Sequence, residues 1–562
     1  MMTMRDDGRA GPPLPEGWVW TTVGKATQPV EKVQPKETPE WQFTYLDISS
    51  IDNQAYRVTE PKTYYGADAP SRARQSVKAG DVLFSTVRTY LKNVALVPEV
   101  YDGQIASTGF AVLRAKPVTL PKYLFYYSLT DDFLNALSKL QRGTSYPAVR
   151  DGDVRAQPIP LSPLPEQHRI VEAIETQFTR LDAAVRALER ARANLGRYKA
   201  SVLKAACEGR LVPTEAELHP DDYEPAGVLL ERILDERRRR WEAEQWGTEV
   251  EKAKKKAAQA ARKARGLPAR ISDLADKEWQ DLPGEAYAKY LPKNDRWKKK
   301  YDEPEPPDTS ALPELPEGWC WATVEQLASP EPRSIQSGPF GSNLLHSEFQ
   351  DTGILAIGID NVLEQQFSMG SQHRISPEKF DELRKFKARP LDVLITVMAT
   401  VGRCCVVPAN LETAIITKHV YRISPNQSFI DSYYLMHALS GGSEVRRQLF
   451  GEVRGQTRPG INGTILKAIV IPVPPLEEQY RIVSEIDRRS SLVQTLDGVI
   501  ITNLIRVERL RQAILKCAFE GRLVPQDPND DPASVLLERI KTERKSTKPG
   551  QKKRQPRQLE LF

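Results

Sequence analysis

The second half of this chain replays framing segments of the first, and a duplicated frame constrains a fold more than composition can. Leu14-Pro-Glu-Gly-Trp-Val-Trp20 returns as Leu315-Pro-Glu-Gly-Trp-Cys-Trp321. Pro165-Glu-Gln-His-Arg-Ile-Val171 is answered by Glu477-Glu-Gln-Tyr-Arg-Ile-Val483, and residues 203–213, ending Glu-Gly-Arg-Leu-Val-Pro, by residues 515–525. A further pair, Val228-Leu-Leu-Glu-Arg-Ile233 and Val535-Leu-Leu-Glu-Arg-Ile540, is displaced from the others by a small indel.

Between the frames lie two diverged stretches of similar length, 21–160 and 322–472. Only an outline survives between them. Asp81-Val-Leu-Phe84 answers Asp392-Val-Leu-Ile395, Ala95-Leu-Val-Pro98 answers Cys405-Val-Val-Pro408, and Arg142-Gly143 answers Arg454-Gly455. Short Val/Ile/Thr/Phe runs broken by Gly, Pro and Asn read as strands, with helices expected over 123–140 and 433–450. Each stretch is therefore expected to be an α+β module of one ancestral fold.

The frames after each module carry a heptad seam. Ile174, Leu181, Leu188, Leu195 and Val202 step by seven in the first copy, and Ile486, Val493, Ile500, Val507 and Ile514 do so in the second. All are aliphatic, as a helix–helix seam requires. The companion series contains polar interruptions such as Asn503, a residue type that can set register. One such helix alone would be read as packed on its own module. A helical run over 166–208, on the order of 60 Å long, exceeds what one module covers. The two copies can then bury their seams against each other as an antiparallel pair. Gly209 and Gly521 should end the helices in left-handed C-caps, each with a proline four residues on.

These boundaries give the expected layout: a first module at 1–162, a first helical spacer at 163–213, and a charged helical segment with a Pro-rich linker at 214–312. A second module at 313–474, a second spacer at 475–525 and a basic tail at 526–562 follow. The run Arg237–Lys256 reads as a solvated helix face. The tail carries eight basic residues and one acidic residue over 541–557, a composition suited to disorder with loose phosphate contact.

Bulk chemistry narrows the function. The chain of 562 residues has 80 Lys+Arg against 74 Asp+Glu, a net charge of +6 that permits nucleic-acid binding without demanding it. Five cysteines without Cys-x-x-Cys spacing signal neither a disulfide framework nor a zinc site, so a reducing cytoplasm is expected. No signal sequence and no run of about 18 apolar residues is present, so no membrane role is expected. Gly338-Pro-Phe-Gly341-Ser lacks the lysine of a phosphate loop, and His168, His219, His346, His373, His419 and His437 are scattered. Neither Val473-Pro-Pro-Leu476 nor Glu305-Pro-Pro-Asp308 matches the Asn/Asp-Pro-Pro-aromatic motif of adenine methyltransferases. The chain reads as a binder. An enzyme with an unrecognised motif and an assembly scaffold that never touches bases remain the alternatives.

The Leu-Pro-Glu-Gly-Trp lead-ins, the Pro-Leu-x-Glu-Gln-x-Arg-Ile-Val helix entries and the Glu-Gly-Arg-Leu-Val-Pro exits resemble those of the specificity subunit of type I restriction-modification systems, twice and in the same order. The resemblance implies two target-recognition domains separated by two long helices packed as an antiparallel coiled coil, each domain reading one half of a split, asymmetric site in double-stranded DNA. It implies a non-catalytic chain that docks two methyltransferase subunits and restriction/translocase subunits. S-adenosylmethionine, ATP and Mg would then be held by the partners and no cofactor by this chain, with adenine N6 as the methylated atom.

Base reading needs donors and acceptors at groove edges. In the first module the candidates are Ser85, Thr86, Arg88, Tyr90, Lys92 and Asn93, with Arg142, Thr144 and Ser145. The second offers Ser337, Gly338, Ser342 and Asn343, then Thr396, Thr400 and Arg403, then Arg454, Gln456 and Arg458. Each residue alone has an ordinary polar loop position as its bland reading; the clusters carry the weight.

Overall fold

The structure, a computed structural model, describes residues 3–4, 10–143, 145–268, 270–370, 372–450 and 461–546. It divides into two compact units, residues 1–191 with 498–562, and residues 192–497. Both long helices are cut by this division: Leu164–Cys207 and Leu476–Phe519 each give one part to each unit.

Unit 1 contains a four-stranded antiparallel sheet in the order Val94–Leu96, Val82–Ser85, Phe110–Ala115, Thr27–Gln28. A second sheet runs Lys62–Tyr65, Gln42–Leu46, Ile105–Ser107, Ala73–Ser76, with one parallel pairing between Gln42–Leu46 and Ile105–Ser107. Unit 2 repeats the order of both sheets, except that Ile335–Ser337 takes the edge beside Val420–Ile423 while the counterpart of Thr27–Gln28 is a single bridge from Ala328 to Pro425. Its first is Cys404–Val406, Val393–Thr396, Val420–Ile423, Ile335–Ser337; its second is Arg374–Ile375, Ile354–Ile357, Ala414–Ile416, Lys387–Ala388, again with the parallel pairing in the middle. Each unit is α+β, and the two share one topology.

The matched aspartates at the strand starts have a physical reason. Asp81 is buried and receives Arg114 in a bidentate pair, Nε to Oδ1 at 2.9 Å and Nη2 to Oδ2 at 2.7 Å. Asp392 sits beside Arg422 at 3.6 Å and accepts from Ser424 Oγ at 2.6 Å. Burial pushes its carboxyl up to about 6 in spite of the arginine. A buried carboxylate without such partners would be costly, so both strands keep them.

The expected helix over 123–140 is two helices, Pro121–Ser128 and Asp131–Ser138, with Thr130 capping the second through Phe133 N at 3.3 Å. The expected 433–450 helix is likewise Ser432–Gly441 and Ser443–Phe450, interrupted at Gly442. A threonine that caps and a glycine that weakens the helix override the continuous apolar period.

The frames lock each unit shut. The strand after each lead-in pairs with the strand that precedes the long helix: Val19–Thr22 with Pro158–Leu161, and Cys320–Thr323 with Val470–Val473. Trp18 Nε1 donates to Glu166 Oε2 at 2.9 Å, and Trp319 Nε1 to Glu478 Oε1 at 3.0 Å. Gln167 accepts from Leu120 N at 2.9 Å and donates to Val118 O at 2.9 Å; Gln479 accepts from Asp431 N at 2.8 Å and donates to Phe429 O at 3.2 Å. The repeated Trp and Glu are partners, and the repeated Gln ties each helix start to the backbone of its own module. Burial raises both glutamate carboxyls above their ordinary range.

Within unit 1 the helix segments run antiparallel. Asp182 accepts from Arg511, Ile174 shares a core with Leu515, Ala518 and Phe519, and Ile514 packs against it. Ile500 and Val507 are buried, and Leu181 and Leu188 half-buried. In unit 2, Arg192 Nε donates to Asp497 Oδ1 at 2.8 Å, and Val202 joins Ile482 and Ile486 in one core, with Leu195 and Val493 half-buried. Asn503 turns its amide onto its own helix, Nδ2 to Val499 O at 2.8 Å. Gly209 (φ +64°) and Gly521 (φ +69°) end the helices in Schellman turns, with Arg210 N on Ala205 O and Arg522 N on Cys517 O, each at 2.8 Å.

Each lead-in is completed by the exit of the other copy. In unit 1, Gly521 lies against Pro15, Arg169 Nη2 donates to Asp530 at 2.8 Å, and Ala533 N donates to Gly17 O at 2.9 Å. Unit 2 has the counterparts: Gly209 against Pro316, Arg481 on Glu215, and Ala226 N on Gly318 O at 2.7 Å. The charged segment is the helix Ala226–Ala264, which buries Leu229 and Ile233 against Phe429 near its start. Farther along, Lys255 stands over the Trp279 ring at 4.3 Å, and Trp241 stacks on Trp297.

Candidate nucleic-acid interface

In unit 1 two of the candidate loops meet. Residues 86–93 leave the strand Val82–Ser85 and are held against residues 142–149 by backbone: Val149 N to Thr86 O at 2.9 Å and Arg88 N to Pro147 O at 2.7 Å. Gln141 Nε2 adds a bond to Thr89 Oγ1 at 2.7 Å. A turn at 108–109 closes the third side, with Thr86 N on Gly109 O at 2.9 Å.

Several candidates are spent on building that loop pair. Ser85 Oγ donates to Val87 O at 2.9 Å, Thr86 Oγ1 to Gly109 O at 2.9 Å, and Asn93 is buried. Lys92 takes a left-handed conformation and reaches Asp131 at 3.4 Å. Arg88, Tyr90, Arg142 and Ser145 remain to face outward: Arg88 is half-buried, Tyr90 is 55% exposed, and Arg142 and Ser145 are exposed. Thr144 lies outside the described residues.

Unit 2 repeats the arrangement around Thr396. Its hydroxyl donates to Thr400 O and accepts from Arg403 N at 3.1 Å, which fixes the tight turn and leaves Arg403 exposed. Thr400 has a buried hydroxyl. Ile461 N bonds Val397 O at 3.2 Å, in the place of Val149 on Thr86. Gly338 abuts the backbone of Thr417, where an added Cβ would lie 2.3 Å from the carbonyl carbon, so this glycine is there for close packing. Ser337 is half-buried, and Ser342 and Asn343 are exposed. Arg454, Gln456 and Arg458 lie outside the described residues.

Sequence reasoning passed over the turn 417–419. Gly338 packs on Thr417, and Val397 N bonds His419 O at 3.1 Å, so this turn joins both candidate loops and carries the exposed Lys418. Burial and the neighbouring Lys418 hold His419 below its usual value. The signal was a polar Thr-Lys-His between two apolar strands.

Exposed aromatic and apolar side chains stand beside these donors: Tyr146 (71%) in unit 1, Phe340 and Met398 in unit 2. Among the described residues no group of three or more His, Cys, Asp or Glu is placed to hold a metal ion, and no helix is long and apolar enough to cross a membrane. Outward cations on a rigid, twice-built loop platform can contact phosphates and base edges.

A specificity subunit of type I restriction enzyme EcoBI from Escherichia coli is 28% identical over 200 residues, covering 34% of this chain and 42% of that protein. That of EcoDI, also from Escherichia coli, is 26% identical over 230 residues, covering 40% and 50%. The chain spans about half the length of these curated relatives. A solved chain from work on complex assembly and conformational transition of the type I R-M system matches with a TM-score of 0.62 at 27% identity, covering 91% of this chain and 100% of that one. The family profile described as type I restriction modification DNA specificity domain matches twice, at residues 45–189 and 362–499, so that half of the chain lies within it. The chain belongs to the family of type I restriction modification DNA specificity domains.

Proposed function

We propose that this chain is the sequence-reading subunit of a type I restriction-modification complex. It recognises a bipartite, asymmetric site in double-stranded DNA, one half through each unit, and docks two methyltransferase subunits and the restriction/translocase subunits. It is not itself catalytic. S-adenosylmethionine, ATP and Mg belong to the partners, and the complex works in the cytoplasm.

One observation carries this reading: the two units keep the sheet order and the frames, while the loops after their matched strands differ, Ser85-Thr-Val-Arg-Thr-Tyr90 against Thr396-Val-Met-Ala-Thr-Val401. A shared scaffold with divergent tips suits a common partner and two different half-sites. Exposed aliphatic side chains along Leu476–Phe519, among them Leu492, Leu496 and Val499, give protein partners an apolar surface to cover.

Mapping modified adenines across the host genome by single-molecule sequencing tests it. A split, asymmetric methylated motif that vanishes on deletion of this chain is expected. An unchanged methylome overturns the reading, as does modification without sequence preference. Methyl transfer or cleavage by the purified chain alone overturns the non-catalytic assignment.

A further inference from the structure

Arg88 and Ala399 occupy the same place in the two units. Each lies four residues past its matched strand motif, Asp81-Val-Leu-Phe84 or Asp392-Val-Leu-Ile395, and two past the residue whose carbonyl receives Val149 N or Ile461 N. Both are non-glycine residues in the left-handed region, φ +49° and +60°. Such conformations are uncommon outside glycine and persist where surrounding structure enforces them. The fold has kept the strained backbone twice and changed the side chain completely.

In unit 1 that side chain is held in place. Arg88 Nη2 donates to Ser145 O at 3.2 Å, and its guanidinium lies 4.8 Å from the centroid of the Tyr146 ring. The ring is 71% exposed, so the stack stands at the surface. Arg88 Nε is buried with no hydrogen-bond partner among the described residues. The guanidinium is thus oriented by a carbonyl and an aromatic face; Nε is closed off, and the Nη1/Nη2 edge is the one left to meet a ligand. A planar fork fixed before binding suits bidentate capture of two acceptors on one base edge, and guanine O6 and N7 present that pattern in the major groove.

We infer that Arg88, positioned by Tyr146, is a guanine-reading residue of the half-site recognised by unit 1, and that Ala399, at the matching position of unit 2, itself supplies no base donor. The inference rests on the DNA-reading function proposed above and names one of its readers.

The test uses the full-length chain to select from random-sequence DNA duplexes, comparing wild type with Arg88→Gly, Arg88→Lys, Tyr146→Phe and Tyr146→Ala. Arg88→Gly relieves the positive φ, so loss of folding does not confound it; Arg88→Lys keeps the charge but not the fork. Both are expected to lose a guanine preference at one position of one half-site, with the other positions intact and affinity for the wild-type site falling roughly 10- to 100-fold. Tyr146→Phe should behave as wild type and Tyr146→Ala should weaken the same position. Arg88→Lys matching wild type would make the contact a phosphate one and overturn the proposal, as would an unchanged motif for Arg88→Gly. A wild-type chain that enriches no motif removes the DNA-reading function and this residue assignment together.

Discussion

Trp319 and Glu478 hold each other buried: the indole N–H reaches Oε1 at 3.0 Å while the other carboxylate oxygen accepts from Glu215 N at 3.0 Å. Trp319→Phe keeps the apolar ring and deletes the donor, leaving a buried acceptor short of a partner. A loss of about 1–3 kcal/mol in urea unfolding is expected. Trp18→Phe should cost a similar amount through Glu166, and a loss below about 0.5 kcal/mol for both would refute the lock.

Four glycines in and after the long helices divide into two kinds. Gly521 at φ +69° faces Pro15, with an added Cβ only 2.3 Å from Pro15 Cγ, and Gly209 faces Pro316 likewise. Alanine at either position should cost about 1 kcal/mol for the left-handed backbone and more for the contact. Gly196 and Gly498 lie inside the long helices with nothing within 4 Å of an added Cβ, so alanine there should stabilise by about 0.5–1 kcal/mol. Thermal unfolding of the four variants should sort them by sign.

His437 is buried in the helix Ser432–Gly441 with neither ring nitrogen partnered among the described residues, and burial pushes its pKa down to about 4. The folded value lies below the ordinary 6.5, so the unfolded chain binds the extra proton first. The neutral ring's stability contribution is complete above about pH 6.5 and is lost as pH falls toward 4, by about 3 kcal/mol. His437→Leu should remove that part of the acid sensitivity. A difference between wild type and variant that stays constant from pH 7 to pH 4 would contradict the burial.

Exchange of residues 21–160 for the corresponding stretch of another family member should change one half-site only. The structure adds a condition. Tyr123 and Tyr127 each stack edgewise on Phe519 at 5.0 Å, and Gln512 bonds both Asp131 N and Leu129 O, so the graft must match the end of the second long helix. Chimeras that keep aromatic residues opposite Phe519 should express and direct methylation by the reconstituted complex; a change in both half-sites would refute the assignment of one module to one half.

The frames were legible because they were stated twice. Ile174 to Val202 and Ile486 to Ile514 fixed the helices, and Gly209 and Gly521 their ends, since a heptad and a C-cap glycine are local signals. The repeat could not reveal that Gly521 meets Pro15 and not Pro316, because sequence similarity pairs copies while packing pairs complements. The sheets were only half visible: their strands are mostly two to five residues long and their parallel pairing joins positions such as Leu46 and Ala106. Ser85, Thr86 and Thr396 were legible as polar loop positions, but composition does not show that Ser85 and Thr396 also bond within their own loops and Thr86 to Gly109 O. Arg88 stood out only once Tyr146 lay beside it.

Unit 2 is one unbroken stretch of chain, whereas unit 1 needs residues from both sides of it. A ribosome finishes everything unit 2 requires while Phe519, Asp530 and Ala533 are still to come. During that interval Tyr123 and Tyr127 lack the Phe519 ring that stacks on them, and Gly17 O lacks Ala533 N. The order of synthesis therefore makes the earlier of the two modules the later to close, and a nascent chain arrested before residue 519 should recruit chaperones through residues 121–128.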